Sequence, residues 1–246
     1  MIEIRDLYKA FSAELRPLRG VTLDVQDGTN LVVLGKSGTG KSVLLKSIVG
    51  LLEPDQGSIQ VDGVEVSGAN ANTLQMIRRK VGYVFQSGAL FDSLTVGENL
   101  AFALEKGKGM RGAEVRDKVM DYLEKVGLPE KVNKMPSELS GGQRKRIGVA
   151  RTIITEPAYL LYDEPTTGLD PQTTKEISEL IVQLKDDLNI TGIAVTHDPY
   201  CLHIIADRIA YLEEGKVVFE GTPEEGKHSD FEFLKIFFTL ENDPGK

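Results

Sequence analysis

Gly35-Lys36-Ser37-Gly38-Thr39-Gly40-Lys41-Ser42 is a glycine-rich octet that follows an apolar run, Leu31 to Leu34, and precedes a helical pattern, Lys41 to Leu51. Glycines at this spacing let successive backbone N–H groups curl around phosphate oxygens, and the helix N-terminus adds partial positive charge. Lys41 then reaches the β- and γ-phosphates of a nucleotide, and the Ser42 hydroxyl ligates Mg²⁺. Further along, a second apolar run, Tyr159 to Tyr162, ends in Asp163-Glu164. Two carboxylates at the end of a buried strand need a cation or a proton to act on. Asp163 suits the Mg²⁺ shell, and Glu164, on the other side, suits polarising a water in line with the γ-phosphate. A third element, Leu139-Ser140-Gly141-Gly142-Gln143, starts a helix with Ser140 as its cap and bare glycine in the first turn. It presents N–H groups to an anion, although taken alone it reads equally as a capped helix with a flexible start.

The elements that must position these residues show in the hydrophobic pattern. Short β-branched runs at Ile2 to Leu7, Val21 to Val25, Leu31 to Leu34 and Ser58 to Val61 read as strands, with Asp27-Gly28 and Asp62-Gly63 as hairpin-type turns. Another strand, Val81 to Phe85, leads into Gln86. From about Thr95 to Ile154 the pattern turns helical, clearest at Ala113 to Val126 and Gly141 to Ile154. Alternation then resumes: a central strand at Tyr159 to Tyr162, a helix over Glu176 to Leu188, a strand over Ile190 to Thr196, a helix over Pro199 to Ala206. A hairpin of Arg208 to Leu212 and Val217 to Glu220 turns at Glu214-Gly215. This order implies an α/β core with a helical insertion.

Composition limits the function. The 246 residues are 41% hydrophobic and 27% charged with net charge −8, a balance that argues against a nucleic-acid partner. One cysteine, Cys201, excludes an internal disulfide and reads as a buried inert thiol in a reducing compartment. The start mixes charged and apolar residues, unlike a secretory signal. The longest apolar stretch, Val43 to Leu52, is broken by Lys46 and Ser47 and falls short of the roughly 20 residues of a membrane span. A cytoplasmic protein is expected, with any membrane-spanning part supplied by another chain.

Taken together the three motifs resemble the nucleotide-binding subunits of ABC transporters, over nearly the whole chain. Gly35 to Ser42 is similar to their Walker A, Tyr159 to Asp163 to Walker B with Glu164 in the catalytic glutamate position, and Leu139 to Gln143 to the signature. Gln86 resembles the Q-loop, Gly168-Leu169-Asp170 the D-loop, His197 the switch histidine, and Phe11 the aromatic that stacks on adenine. The resemblance implies a P-loop NTPase: a RecA-like core with an antiparallel β subdomain (about 1–86 and 155–225), an inserted α-helical signature subdomain (about 87–154) and a helical tail, 226–246. It also implies ATP and Mg²⁺, with Glu164, His197 and Gln86 catalytic and Ser42, Gln86 and Asp163 at the metal. The nucleotide is held by Phe11, by Gly35, Lys36, Ser37, Gly38, Thr39, Gly40, Lys41 and Ser42, and by Ser140, Gly141, Gly142, Gln143 and Asp170. Two copies pair head to tail, the signature of one closing over the γ-phosphate held by the other. A transmembrane permease is the partner, which places the dimer on the inner face of the membrane.

Soluble ABC proteins of DNA repair or translation carry heptads, zinc-binding insertions or tandem units, and none of these shows here. Within transporters, Gln86 to Asn99, Met135 to Glu138 and Tyr162 to Pro171 resemble the ATPases of MCE-type (Mla) lipid transport systems, while polar amino-acid importers share parts of the pattern. That branch implies an MCE-domain partner and phospholipid as cargo. Val43 departs from the Thr that many members have after Ser42. Leu90, Phe91, Leu94 and Val96 make a greasy loop after Gln86, for which a permease helix is the expected cover. At the other end, Phe231, Leu234, Phe237 and Phe238 fit one helical face within Asp230 to Leu240, expected to fold back on the chain's own core.

Overall fold

The computed structural model describes residues 1–239; residues 240–246, the end of the tail read from 226 to 246 and including Leu240, lie outside the described residues. The strands are β1 (Ile2–Lys9), β2 (Leu18–Val25), β3 (Asn30–Leu34), β4 (Gln56–Val61), β5 (Val64–Glu65), β6 (Val81–Val84), β7 (Tyr159–Asp163), β8 (Thr191–Val195), β9 (Arg208–Glu213) and β10 (Lys216–Gly221). The helices are α1 (Lys41–Ile48), α2 (Ala71–Lys80), α3 (Val96–Lys108), α4 (Ala113–Lys125), α5 (Gly141–Ile153), α6 (Pro171–Leu188), α7 (Pro199–Ile205), α8 (Pro223–Lys227) and α9 (Glu232–Thr239).

Two sheets carry the molecule. One is antiparallel, in the order β2-β1-β4-β5; the other runs β10-β9-β3-β8-β7-β6, with β10 antiparallel on an otherwise parallel sheet. Strands β3 and β8 are buried along their whole length, which is why their sequences are apolar runs rather than alternations. Side chains on opposite faces go to different cores. Val33, Leu161 and Ile193 join Leu44, Leu45 and Ile48 of α1 and the apolar face of the antiparallel sheet. Val32, Leu34, Leu160 and Tyr162 join α5, α6 and the inserted helices, so one apolar cluster runs from the sheet into the helical lobe.

Asp62-Gly63 is a two-residue hairpin turn, with Val61 opposite Val64 and φ positive at both turn residues (50° and 73°). Asp27-Gly28 is not a hairpin: β2 and β3 belong to different sheets, and the Gly28 N–H donates to Thr191 Oγ1 at 2.9 Å. Helix α6 begins five residues before Glu176, because Asp170 caps it and Pro171 takes the first helical position, where its missing N–H costs nothing. Helix α2, capped by Asn70, buries only Ile77 and so leaves almost no apolar stripe in the sequence.

The loop after Gln86 is covered in part by its own chain. Leu90 packs against the helical-lobe core, Phe91 meets Phe102 edge-on at 5.0 Å, and the Arg151 guanidinium lies 4.8 Å from the Phe91 ring centroid. Asn99, fully buried, accepts from the Phe91 N–H (2.8 Å) and donates to the carbonyls of Phe91, Leu94 and Thr95. Leu90 is partly buried, while Phe85, Phe91 and Phe102 are 39%, 40% and 36% exposed, so an apolar face stays open to an outside partner. The tail folds back as expected: Leu234, Phe237 and Phe238 of α9 are buried in the large cluster, and Phe233 stacks on Tyr211 at 4.8 Å.

Candidate active site

The octet between β3 and α1 sits at the carboxyl end of the parallel sheet. Gly40, at φ 105°, opens α1 with no side-chain cap, so the first-turn N–H groups face outward without an internal acceptor. A Cβ on Gly40 would lie 2.5 Å from the Pro17 carbonyl, while one on Gly38 would meet nothing within 4 Å. The first glycine is thus required by packing; the second lies beside open space that a phosphate can enter. Lys41 is 8% exposed and donates to the carbonyls of Gly35 (2.8 Å) and Lys36 (3.0 Å). Burial lowers its pKa, against the attraction of Glu164 and Asp163. A desolvated ammonium with carbonyl partners alone gains strongly from an anion placed beside it.

A cavity of about 610 Å³ opens in front of this loop, lined by Ser37, Gly38, Gly40, Lys41 and Ser42, with Gln86, Glu164 and His197 opposite and Phe11 at one side. Phe11 is 52% exposed, an aromatic face available for stacking. Ser42 Oγ donates to Asp163 Oδ1 at 2.8 Å, joining α1 to the end of β7. Hydroxyl, carboxylate and the nearby Gln86 carboxamide make an oxygen-only donor set, which suits Mg²⁺; that ion uses one or two protein oxygens and takes the rest from phosphate and water.

Glu164 follows Asp163 with φ 55°, a conformation unusual for a residue with a side chain. Glu164 Oε2 lies 2.8 Å from His197 Nδ1 and accepts from Thr167 Oγ1 at 3.0 Å, while its N–H donates to the Val195 carbonyl. The carboxylate and the imidazole thus form a contact pair on one wall of the cavity, His197 exposed and Glu164 largely sheltered.

Ser140 to Gln143 and Asp170 are not among the residues lining this cavity. Ser140 Oγ accepts from Gln143 N–H at 3.3 Å and Gln143 Oε1 from Ser140 N–H at 3.1 Å, a capping box that leaves the N–H groups of Gly141 and Gly142 without an intrahelical acceptor. A Cβ on Gly142 would lie 2.4 Å from Thr173 Cγ2, so this glycine also permits the close approach of α5 to α6. Asp170 accepts from Thr173 N–H and Oγ1 as the cap of α6. Three contributors escaped the sequence reading. Thr167 braces Glu164, and Lys145, its pKa lowered by burial, donates to the carbonyls of Thr167 (2.9 Å) and Glu164 (3.3 Å). The Tyr83 hydroxyl donates to Asp163 Oδ2 at 2.8 Å. None belongs to a spaced motif; only Tyr83, in the strand beside β7, left a signal that sheet register could have supplied.

A phosphate cradle built this way, at the end of a parallel sheet, places the molecule among the P-loop nucleoside triphosphatases. The chain belongs to the ABC transporter family, whose model matches residues 18–167. It is an ATPase of that family, using ATP with Mg²⁺. It is 41% identical over 223 residues to the methionine import ATP-binding protein MetN of Carboxydothermus hydrogenoformans, covering 90% of this chain and 66% of that one. It is 40% identical over 236 residues to the probable ribonucleotide transport ATP-binding protein mkl of Mycobacterium leprae, covering 96% and 68%. The chain thus spans about two thirds of the length of these relatives. Among solved structures, the dimeric post-hydrolysis state of the ATP-binding cassette MJ0796 bound to ADP and Pi superimposes with a TM-score of 0.83 at 31% identity, over 90% of this chain and 98% of that one. CbiO1 from Clostridium perfringens, part of the ABC transporter complex cbiONQ, gives 0.82 at 29% identity, over 98% of each chain.

Proposed function

We propose that this chain is the ATP-hydrolysing subunit of an ABC transporter, working as a homodimer beneath a membrane permease. The observation that carries the reading is the meeting of Lys41, the Ser42–Asp163 pair and the Glu164–His197 pair around one cavity. Lys41 and the N–H groups of α1 bind the phosphates. Ser42, Asp163 and Gln86 would hold Mg²⁺, which would supply positive charge against the triphosphate. Glu164 orients a water and takes its proton as the water oxygen bonds to the γ-phosphorus and the bond to the β-phosphate oxygen breaks. His197 leaves Glu164 to hold the γ-phosphate, and Phe11 stacks on the base. Ser140 to Gln143 of one copy close the site of the other, beside Asp170; hydrolysis removes that contact and reopens the dimer. Among the described residues no helix is long and apolar enough to cross a membrane, which suits a subunit that docks on a separate permease.

The relatives weigh on the choice of cargo. The methionine importers support import of a small molecule, of amino-acid kind, better than the lipid transport read from Gln86 to Asn99. Phospholipid transport with an MCE-domain partner stays as the second reading, favoured by that stretch and by Met135 to Glu138. The relatives' names already span methionine and a ribonucleotide at 40–41% identity, as expected of a subunit that never touches cargo.

The direct test is ATP hydrolysis by the purified chain with Mg²⁺. Activity that disappears in Lys41→Ala, together with ATP binding, is the expected result; equal hydrolysis by that variant would remove the octet from the site. Proteoliposomes of the co-purified permease complex then separate the cargo readings, by stimulation with methionine and related amino acids or by movement of labelled phospholipid.

A further inference from the structure

Asp163 uses its two carboxylate oxygens on different neighbours: Oδ1 accepts from Ser42 and Oδ2 from the Tyr83 hydroxyl, each at 2.8 Å. The second contact follows from the sheet. Strand β6 runs parallel to β7 with Tyr83 level with Leu161. Residues two apart on a strand share a face, so Tyr83, Leu161 and Asp163 all face α1, and a tyrosine is long enough to reach one step along the neighbouring strand. The ring itself is held: it lies 4.4 Å from the Phe85 ring, tilted by 38°, and packs against the apolar cluster beneath α1.

We propose that Tyr83 is a positioning residue for the metal, fixing the Asp163 carboxylate so that one oxygen alone is presented to Mg²⁺. A phenol has a single proton to donate. Spent on Oδ2, it fixes the carboxylate plane and leaves Oδ1 aimed at Ser42, the other metal donor. Without it the carboxylate pivots about its last side-chain bond, and each pose that turns Oδ1 away from Ser42 must be reversed when the cation arrives. Oxygen donors for Mg²⁺ require near-ideal octahedral placement, so such looseness weakens this ion in particular. The inference rests on the reading of Asp163 as a metal ligand.

Tyr83→Phe removes the hydroxyl and keeps the ring. The measurement is the affinity of Mn²⁺ for the ATP-loaded chain, read by electron paramagnetic resonance, beside ATP affinity in excess EDTA. Mn²⁺ binding is expected to weaken about tenfold in Tyr83→Phe, the range seen when a partner of a metal ligand is removed, with metal-free ATP affinity unchanged. Equal Mn²⁺ affinity in Tyr83→Phe and the parent overturns the proposal, as does a matching loss of metal-free ATP affinity, which marks a purely structural tyrosine. Asp163→Asn is the companion variant. If it too keeps full Mn²⁺ affinity, the metal reading of Asp163 fails; if it loses Mn²⁺ while Tyr83→Phe does not, only the role of Tyr83 is overturned.

Discussion

Glu164 and Asp163 are adjacent in the chain yet engage different partners, Ser42 and Tyr83 for Asp163 and His197 and Thr167 for Glu164. A residue at φ 55° carries a conformational cost of about 1–3 kcal/mol when it bears a side chain. Here that cost accompanies a hydrogen bond to Val195, a brace from Thr167 and the contact with His197. On the proposed mechanism, His197 occupies the Glu164 carboxylate until nucleotide draws the imidazole away. Glu164→Gln keeps the shape and removes the proton acceptor. Its turnover is expected to fall by about 10²-fold or more with ATP binding retained, measured by steady-state hydrolysis beside nucleotide binding. Turnover within a factor of two of the parent would remove Glu164 from the role of base.

At the scale of elements, the helical lobe joins the sheet through a continuous apolar cluster, with specific polar and close-packed contacts added to it. Helix α5 crosses the turn after Gln86 so closely that a Cβ on Gly148 would lie 2.8 Å from Gly88 Cα. Glu156 binds the Lys108 and Lys118 ammonium groups, joining the end of α3 and the middle of α4 to the segment that enters β7. Hydrogen bonds from these lysines lower the Glu156 pKa to about 2. A depressed carboxylate stabilises the fold above its unfolded pKa, and the contribution is lost as pH falls through the folded value. Because Glu156 is half exposed, Glu156→Gln is expected to cost below about 1 kcal/mol at neutral pH. The difference in thermal midpoint from the parent shrinks below about pH 4.5 and vanishes near pH 2; a difference independent of pH would contradict the ion-pair account.

The same scale shows what could be read in advance. Fully buried strands such as β3 and β7 were legible because both faces are apolar, and the glycine octet because phosphate binding leaves little choice of residue. Asp62-Gly63 was legible as a turn, but Asp27-Gly28 carries the same local chemistry and differs only in where β3 finds its partners. Helix α2 was hidden by its polar surface. The greasy loop was legible as apolar, but its internal contacts with Phe102, Arg151 and Asn99 were not, because they depend on how α3 and α5 pack against it.

At the scale of the whole molecule, the arrangement is asymmetric. Phe11, the octet, Glu164 and His197 share a cavity, while the capped start of α5, with Gly141 exposed and its N–H without an intrahelical acceptor, lies outside it. One chain therefore holds two parts of a site that a second copy, turned head to tail, would complete twice. The measurement that tests this most directly is the mass of Glu164→Gln in solution by light scattering, with ATP and with ADP. With ATP bound and not consumed, the mass is expected to rise from 27.0 kDa to twice that value, and with ADP to stay at that of the single chain. A variant that binds ATP yet keeps the mass of one chain would contradict a site built from two copies.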